Sequence, residues 1–207
     1  MTRLILTLAG ASLAILVSCS ETPQTEEKKP AEAAKPPEPV GGLSALFQMY
    51  RAARSVLGAD VEPQQMKSIL LTDVKAEPGK AAAWQCTFVS PAAGKARTYT
   101  FSVVESEGNL HKGVFSGTDE SWSGSRGPKP FPIAAVKVDT DAAYKTALTK
   151  AADYEKKNPG KPISFLLEKN EKFPDVAWRV IWGESAGTSS FSVLVDASTG
   201  DYLQTLH

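Results

Sequence analysis

Two cysteines and two histidines in 207 residues leave little material for metal binding or nucleophilic catalysis. Cys19, Cys86, His111 and His207 lie at no spacing that suits a zinc site, so no metal ligands are expected. The sequence has no Cys-x-x-Cys pair and no Gly-rich phosphate loop, and no cofactor is expected. Charge of one sign is not in excess either, because 23 basic residues balance 23 acidic ones. A nucleic-acid partner calls for a concentrated basic surface that neutralises phosphates, and this balance argues against one. The most apolar stretch, residues 4–17, falls short of the roughly 20 residues that cross about 30 Å of hydrocarbon as a helix. What is present is the composition of a globular protein, 42% hydrophobic and 22% charged. About 165 residues beyond the first forty suffice for a real core.

The start of the chain carries an address. A single positive charge at Arg3 precedes the apolar run, which is interrupted only by Thr7, Gly10 and Ser12. Residues 1–18 therefore have the proportions of a signal peptide. The run closes on Leu16-Val17-Ser18-Cys19, which resembles the lipobox of bacterial lipoproteins at all four positions. The resemblance implies cleavage before Cys19, a diacylglycerol on its thiol, and a membrane as the first partner. Ser20 in place of Asp after that cysteine implies, for a Gram-negative source, the outer membrane facing the periplasm. Each buried methylene of the lipid contributes about 0.8 kcal/mol, so several acyl chains anchor stably. Residues 19–42 are rich in Pro, Ala, Glu and Lys and hold no aromatic residue. Such a segment buries too little apolar area to offset its ordering entropy and reads as a disordered tether.

The remainder reads as two halves with the same order of elements. In the first, Leu43, Leu46, Phe47, Tyr50, Ala53 and Leu57 recur at helical spacing, with Gly58 as a stop. Residues 64–74 turn apolar around Ile69, Leu70 and Leu71. Trp84, Cys86 and Phe88, then Tyr99, Phe101 and Val103, alternate with polar residues as a hairpin with one apolar face. In the second half, Tyr144, Ala147, Leu148, Ala151 and Tyr154 share a helical face behind caps at Thr140 or Asp141, and Asn158-Pro159-Gly160 ends the helix. Ile163 to Leu167 forms a short strand. Trp178, Val180 and Trp182, then Phe191, Val193 and Val195, alternate again. Trp84 and Trp178 stand 94 residues apart, and Gly108 and Gly200 stand 92 apart, which reads as a diverged internal duplication. The expected boundaries are residues 43–115 and 133–207, with 116–132 as a loop between them.

The stretch from Ile133 to Leu203 resembles a PepSY domain. The carrying features are the strand Ala177-Trp178-Arg179-Val180 and the closing Val195-Asp196-Ala197-Ser198-Thr199-Gly200. The first half matches in outline only, because it keeps Gly108 but lacks the Asp-Thr pair. The resemblance implies an envelope-associated α+β module linked to protease regulation rather than an enzyme. On the residues alone, Asp196 and Thr199 fold the backbone back through side-chain hydrogen bonds, and Gly200 accepts the positive φ of such a turn.

Several features invite a chemical reading and have a structural alternative beside it. With Cys19 lipidated, Cys86 has no partner for a disulfide, and its alternation with Trp84 and Phe88 points to a buried thiol. A Cys86–His111 nucleophile pair has no sequence feature that brings it together. Gly183, Ser185 and Gly187 fit Gly-x-Ser-x-Gly, but strand patterns on both sides make the segment a hairpin loop. Trp178, Trp182 and Phe191 read as core. Lys156, Lys157, Lys161, Lys169 and Lys172 form a basic surface that suits anionic lipid or an acidic partner, or is simply solvated. The expectation is an α+β protein of two helix-plus-antiparallel-sheet repeats, acting as a non-enzymatic binding or regulatory module towards an envelope protein, a protease or a peptide. A structural or assembly lipoprotein of the outer membrane is the alternative, and a hydrolase with an unrecognised site is a second.

Overall fold

The computed structural model describes residues 36–207 except 109, 126, 170 and 174, so the expected leader, the expected lipidation residue Cys19 and the expected tether up to residue 35 lie outside the described residues. Helix α1 (Gly42–Leu57) buries Ala45, Leu46, Met49, Ala53 and Leu57, a stripe at three- and four-residue intervals, and ends at Gly58. Helix α2 (Thr140–Lys157) buries Ala143, Ala147 and Ala151, a strip of small residues one turn apart, while Tyr144, Leu148 and Tyr154 pack at its margins. Asn158 closes it, as the sequence implies.

After α1 come β1 (Glu62–Ile69), β2 (Ala83–Ser90), β3 (Lys95–Ser102) and β4 (Gly113–Ser121). After α2 come β5 (Ile163–Lys169), β6 (Val176–Trp182), β7 (Ser192–Asp196) and β8 (Tyr202–Leu206). The two sheets expected from the sequence are one. Eight antiparallel strands run in the order β4-β3-β2-β1-β5-β6-β7-β8, and β1 pairs with β5 at the centre, with Met66 opposite Leu167. The strand order reads outward from that seam as one half and then the other. Both helices lie on one side of the sheet. Their buried faces share a single core with Met66, Trp84, Cys86, Phe88, Phe165, Leu167, Trp178 and Val180, drawn from both halves.

The helix N-termini meet over the seam. Trp84 and Trp178 touch edge to face at 6.3 Å, and each indole N–H donates to a carbonyl just before a helix: Val40 at 3.2 Å and Val138 at 2.8 Å. One carboxylate serves both helices. Asp139 Oδ1 accepts from Thr140 N at 2.7 Å in its own helix and from Leu43 N at 2.9 Å in the other. The cap of α2 is thus Asp139 rather than Thr140 or Asp141. Thr140 instead uses its hydroxyl to accept from Gly42 N at 2.8 Å and to donate to Gly79 O at 2.5 Å. A side chain at Gly42 would collide with Trp178 at 2.7 Å and Thr140 at 2.8 Å, so only glycine fits where these elements converge.

Three further expectations need correction. The tether does not reach Gly42, because Val40 and Ala81 exchange backbone hydrogen bonds at 3.0 Å and Gly42 begins the helix. The apolar strand expected over 64–74 ends at Ile69, and Leu70, Leu71 and Val74 leave the sheet. The segment from Gly113 to Ser121, assigned to a loop from residue 116 onward, is an edge strand. Its side chains are almost all exposed, so no apolar alternation marks it, and its order comes from backbone pairing with β3. Asp119 secures it by accepting from Arg97 Nε at 2.6 Å and Lys95 Nζ at 3.0 Å. Those two cations hold its carboxyl below the ordinary aspartate range, with Lys95 the larger influence.

Candidate functional site

Because both helices cover the same side, the other face of the sheet carries no helix among the described residues. Cross-strand register sets one row of side chains across all eight strands there. It starts with Phe115, Thr100 and Gln85 on β4, β3 and β2, and reaches the seam at Lys67 and Leu166 on β1 and β5. It continues through Arg179, Leu194 and Gln204 on β6, β7 and β8. A second row beside it holds Thr98, Thr87, Gln65 and Glu168. Some of these side chains are tied across strands: Gln65 Nε2 donates to Glu168 at 2.7 Å, the Thr87 and Thr98 hydroxyls lie 3.1 Å apart, and Arg179 Nε donates to Ser192, a β7 residue outside the two rows, at 2.8 Å. The hairpin loop between β6 and β7 borders one end of this face. There, a hollow of about 230 Å³ opens between Lys67, Ser164, Ile181 and the 184–187 turn. A polar, pre-ordered strand surface of this kind is suited to hydrogen-bonding recognition of a protein or peptide.

A larger cleft, about 450 Å³, lies at the end of the β1–β5 seam. It is walled by Ile69, Leu71, Val74, Pro162 and Ile163, with Tyr144 at one side and Lys75, Lys80 and Lys161 at its rim. No residue lines both cavities.

No protein-family model and no curated protein matches the chain. One solved structure shares the fold. It is a "putative lipoprotein (CD1622)" from Clostridium difficile 630, with a TM-score of 0.50 and 8% sequence identity, covering 78% of this chain and 91% of that one. At that identity the likeness is one of fold. No helix among the described residues is long and apolar enough to cross a membrane.

The residues singled out from the sequence fall in separate places. Cys86 is fully buried on the helix side of β2, and burial pushes its thiol well above the ordinary cysteine range. The structure does not unite it with His111. That imidazole contacts Glu105 at 2.5 Å and tilts against Phe115, which lies on the helix-free side. His207 packs edge-on against Phe191. Trp178, Trp182 and Phe191 are core residues. Asp196 Oδ1 accepts from Ser198 N at 2.7 Å and Thr199 N at 2.9 Å, Thr199 Oγ1 accepts from Asp201 N at 3.2 Å, and Gly200 has φ +82°. That is the turn the sequence implies. Ser185 sits in the β6–β7 loop with its hydroxyl 2.9 Å from that of Thr188, flanked by strands on both sides. Of the lysines, Lys156 and Lys157 occupy the last turn of α2, where cations suit the helix dipole, and Lys161 reaches the cleft.

The sequence reading missed the two rows on the helix-free face and the cleft. The alternation of Thr98 and Thr100 with Tyr99 and Phe101 carried the first signal, since polar residues at every second position must face somewhere. The cleft draws on segments near residues 70, 144 and 161, and no local pattern connects them.

Proposed function

We propose that this protein is a lipid-anchored module of the bacterial cell envelope that binds a protein or peptide through the helix-free face of its sheet and carries out no catalysis. The observation that carries this reading is the sheet face that no described helix covers, whose two rows are mostly polar and are bonded across strands at Gln65–Glu168 and Thr87–Thr98. The address rests on Leu16-Val17-Ser18-Cys19, which fits a lipobox, and on Ser20, which favours the outer membrane in a Gram-negative source. We infer further that the halves are diverged copies of a PepSY-like unit. The matching element order and the paired roles of Trp84 and Trp178 support that inference.

The test is crosslinking of tagged full-length protein in its native cells, read by mass spectrometry against two variants. Cys19→Ser removes the lipidation site, and Gln85→Arg with Thr87→Arg blocks the face at positions that are not core. The expected result is one dominant partner, reduced in the first variant and lost in the second. A partner unaffected by the arginines, or none under any growth condition, counts against the reading.

A further inference from the structure

We propose that the cleft at the end of the β1–β5 seam is a binding site for a long-chain fatty acid, with the acyl chain in the apolar interior and the carboxylate at the lysine rim. Its volume, about 450 Å³, lies within the range of pockets that bury small ligands, and its inner wall is aliphatic. Leu70, Leu71 and Val74 are spared from the sheet to build it, and Leu70 stays 41% exposed at its mouth. A run of aliphatic side chains that leaves a strand to line a cleft, rather than closing over itself, is surface suited to an apolar ligand.

The rim decides the head group. Lys80 is occupied by Glu77 at 2.8 Å, with Glu38 and Asp141 also close enough to favour its charged form. Lys161 donates to the Tyr154 hydroxyl at 2.9 Å and keeps its other donors. Lys75 has no hydrogen-bond or ion-pair partner among the described residues and stands beside the aliphatic wall. A carboxylate between Lys75 and Lys161 supplies the missing charge. Pro39 also lines the cleft, so the chain leading back towards Cys19 departs from its border. The sixteen residues 20–35 reach at most a few tens of Å at roughly 3 Å each. The supply of ligand from an adjacent bilayer therefore rests on the anchored reading proposed above, whereas the cleft and its lysines do not.

The experiment uses full-length protein in isolated membranes, exposed to diazirine-bearing palmitic acid or, in parallel, diazirine-bearing hexadecanol, irradiated and mapped by peptide mass spectrometry. Adducts are expected on residues 69–82 and 160–163, and more strongly with the acid than with the alcohol. Lys75→Glu with Lys161→Glu should lower labelling by the acid roughly fivefold and leave the alcohol unchanged, since two exposed ion pairs contribute on that order. Ala76→Trp, at an exposed position lining the cleft, should abolish both. Unchanged melting by circular dichroism verifies that these surface variants fold. Adducts scattered over the surface, equal labelling by acid and alcohol, or labelling indifferent to Ala76→Trp overturn the proposal. Cys19→Ser protein supplied with free probe should still label in the cleft, so failure of the anchor and failure of the site are read separately.

Discussion

The two halves of this molecule reach the same layout with different side chains at their last turn. Between β7 and β8 the chain reverses within 197–201, because Asp196 accepts two backbone N–H groups and Gly200 adopts a left-handed conformation. Between β3 and β4 the connection is longer, spanning 103–112. There Glu105 accepts from Lys112 N at 2.9 Å and from the imidazole of His111. The Lys112 N–H, followed by His111, holds the Glu105 carboxyl below the ordinary glutamate range. Asp196 gathers two backbone donors in a tight turn, whereas Glu105 takes one backbone donor and His111 in a longer connection that also carries its own Ser106–Leu110 backbone bridge. The sheet requires a reversal at each position and is indifferent to how it is made.

The largest effect should come from removing one of the paired tryptophans. Trp178→Ala empties a fully buried site that both halves share and should lower stability by about 3–5 kcal/mol. Urea unfolding followed by circular dichroism and by fluorescence of the remaining tryptophans should show one coincident transition, whereas two separate midpoints would mean that the halves fold independently. Asp139→Ala tests the shared cap. Losing an N-cap costs about 0.5–2 kcal/mol for one helix, and here two helices lose theirs, so the cost should lie towards the upper end. A loss no greater than that of an exposed surface substitution would show that the second bond contributes nothing.

Cys86→Val gives the first half the residue found at Val180, 94 positions on. Burial raises the folded thiol, so its contribution to stability is complete below about pH 8.5, the unfolded value, and falls as pH rises above it. The wild type should lose about 1.4 kcal/mol per pH unit above that point relative to the valine variant, which should differ little at pH 7. Parallel stability curves from pH 7 to 10 would overturn this. The smallest difference lies between the last turns. Asp196→Ala should lower the melting temperature more than Glu105→Ala, because Asp196 closes a tight turn and Glu105 sits exposed beside His111. Equal shifts would remove the distinction drawn between them.

These residues also show what the sequence could convey. The inward strands were legible because Trp84, Cys86 and Phe88, like Trp178, Val180 and Trp182, alternate against a covered face. Helix α1 was legible from its stripe to within a residue of its start. Edge strand β4 was not, because neither of its faces is buried enough to impose a pattern. The seam was not, because Met66 and Leu167 are brought together by pairing across a hundred residues rather than by any local preference. The cap of α1 was invisible for the same reason, since its acceptor belongs to the other helix. The cleft was misread as the end of a strand, because Leu70 and Leu71 satisfy a β pattern that the fold does not use.

The sharing of Asp139 also sets an order of events. A chain that emerges amino terminus first presents Leu43 with its N–H unsatisfied, and the carboxylate that completes it follows 96 residues later. Until residue 139 arrives, α1 lacks its cap, Gly42 lacks the Thr140 hydroxyl, and Trp84 has no Trp178 to rest against. The first half is consequently held short of its final state while the second is still being delivered. A polypeptide built in this way locks only once the carboxylate of Asp139 and the indole of Trp178 have both been added to the chain.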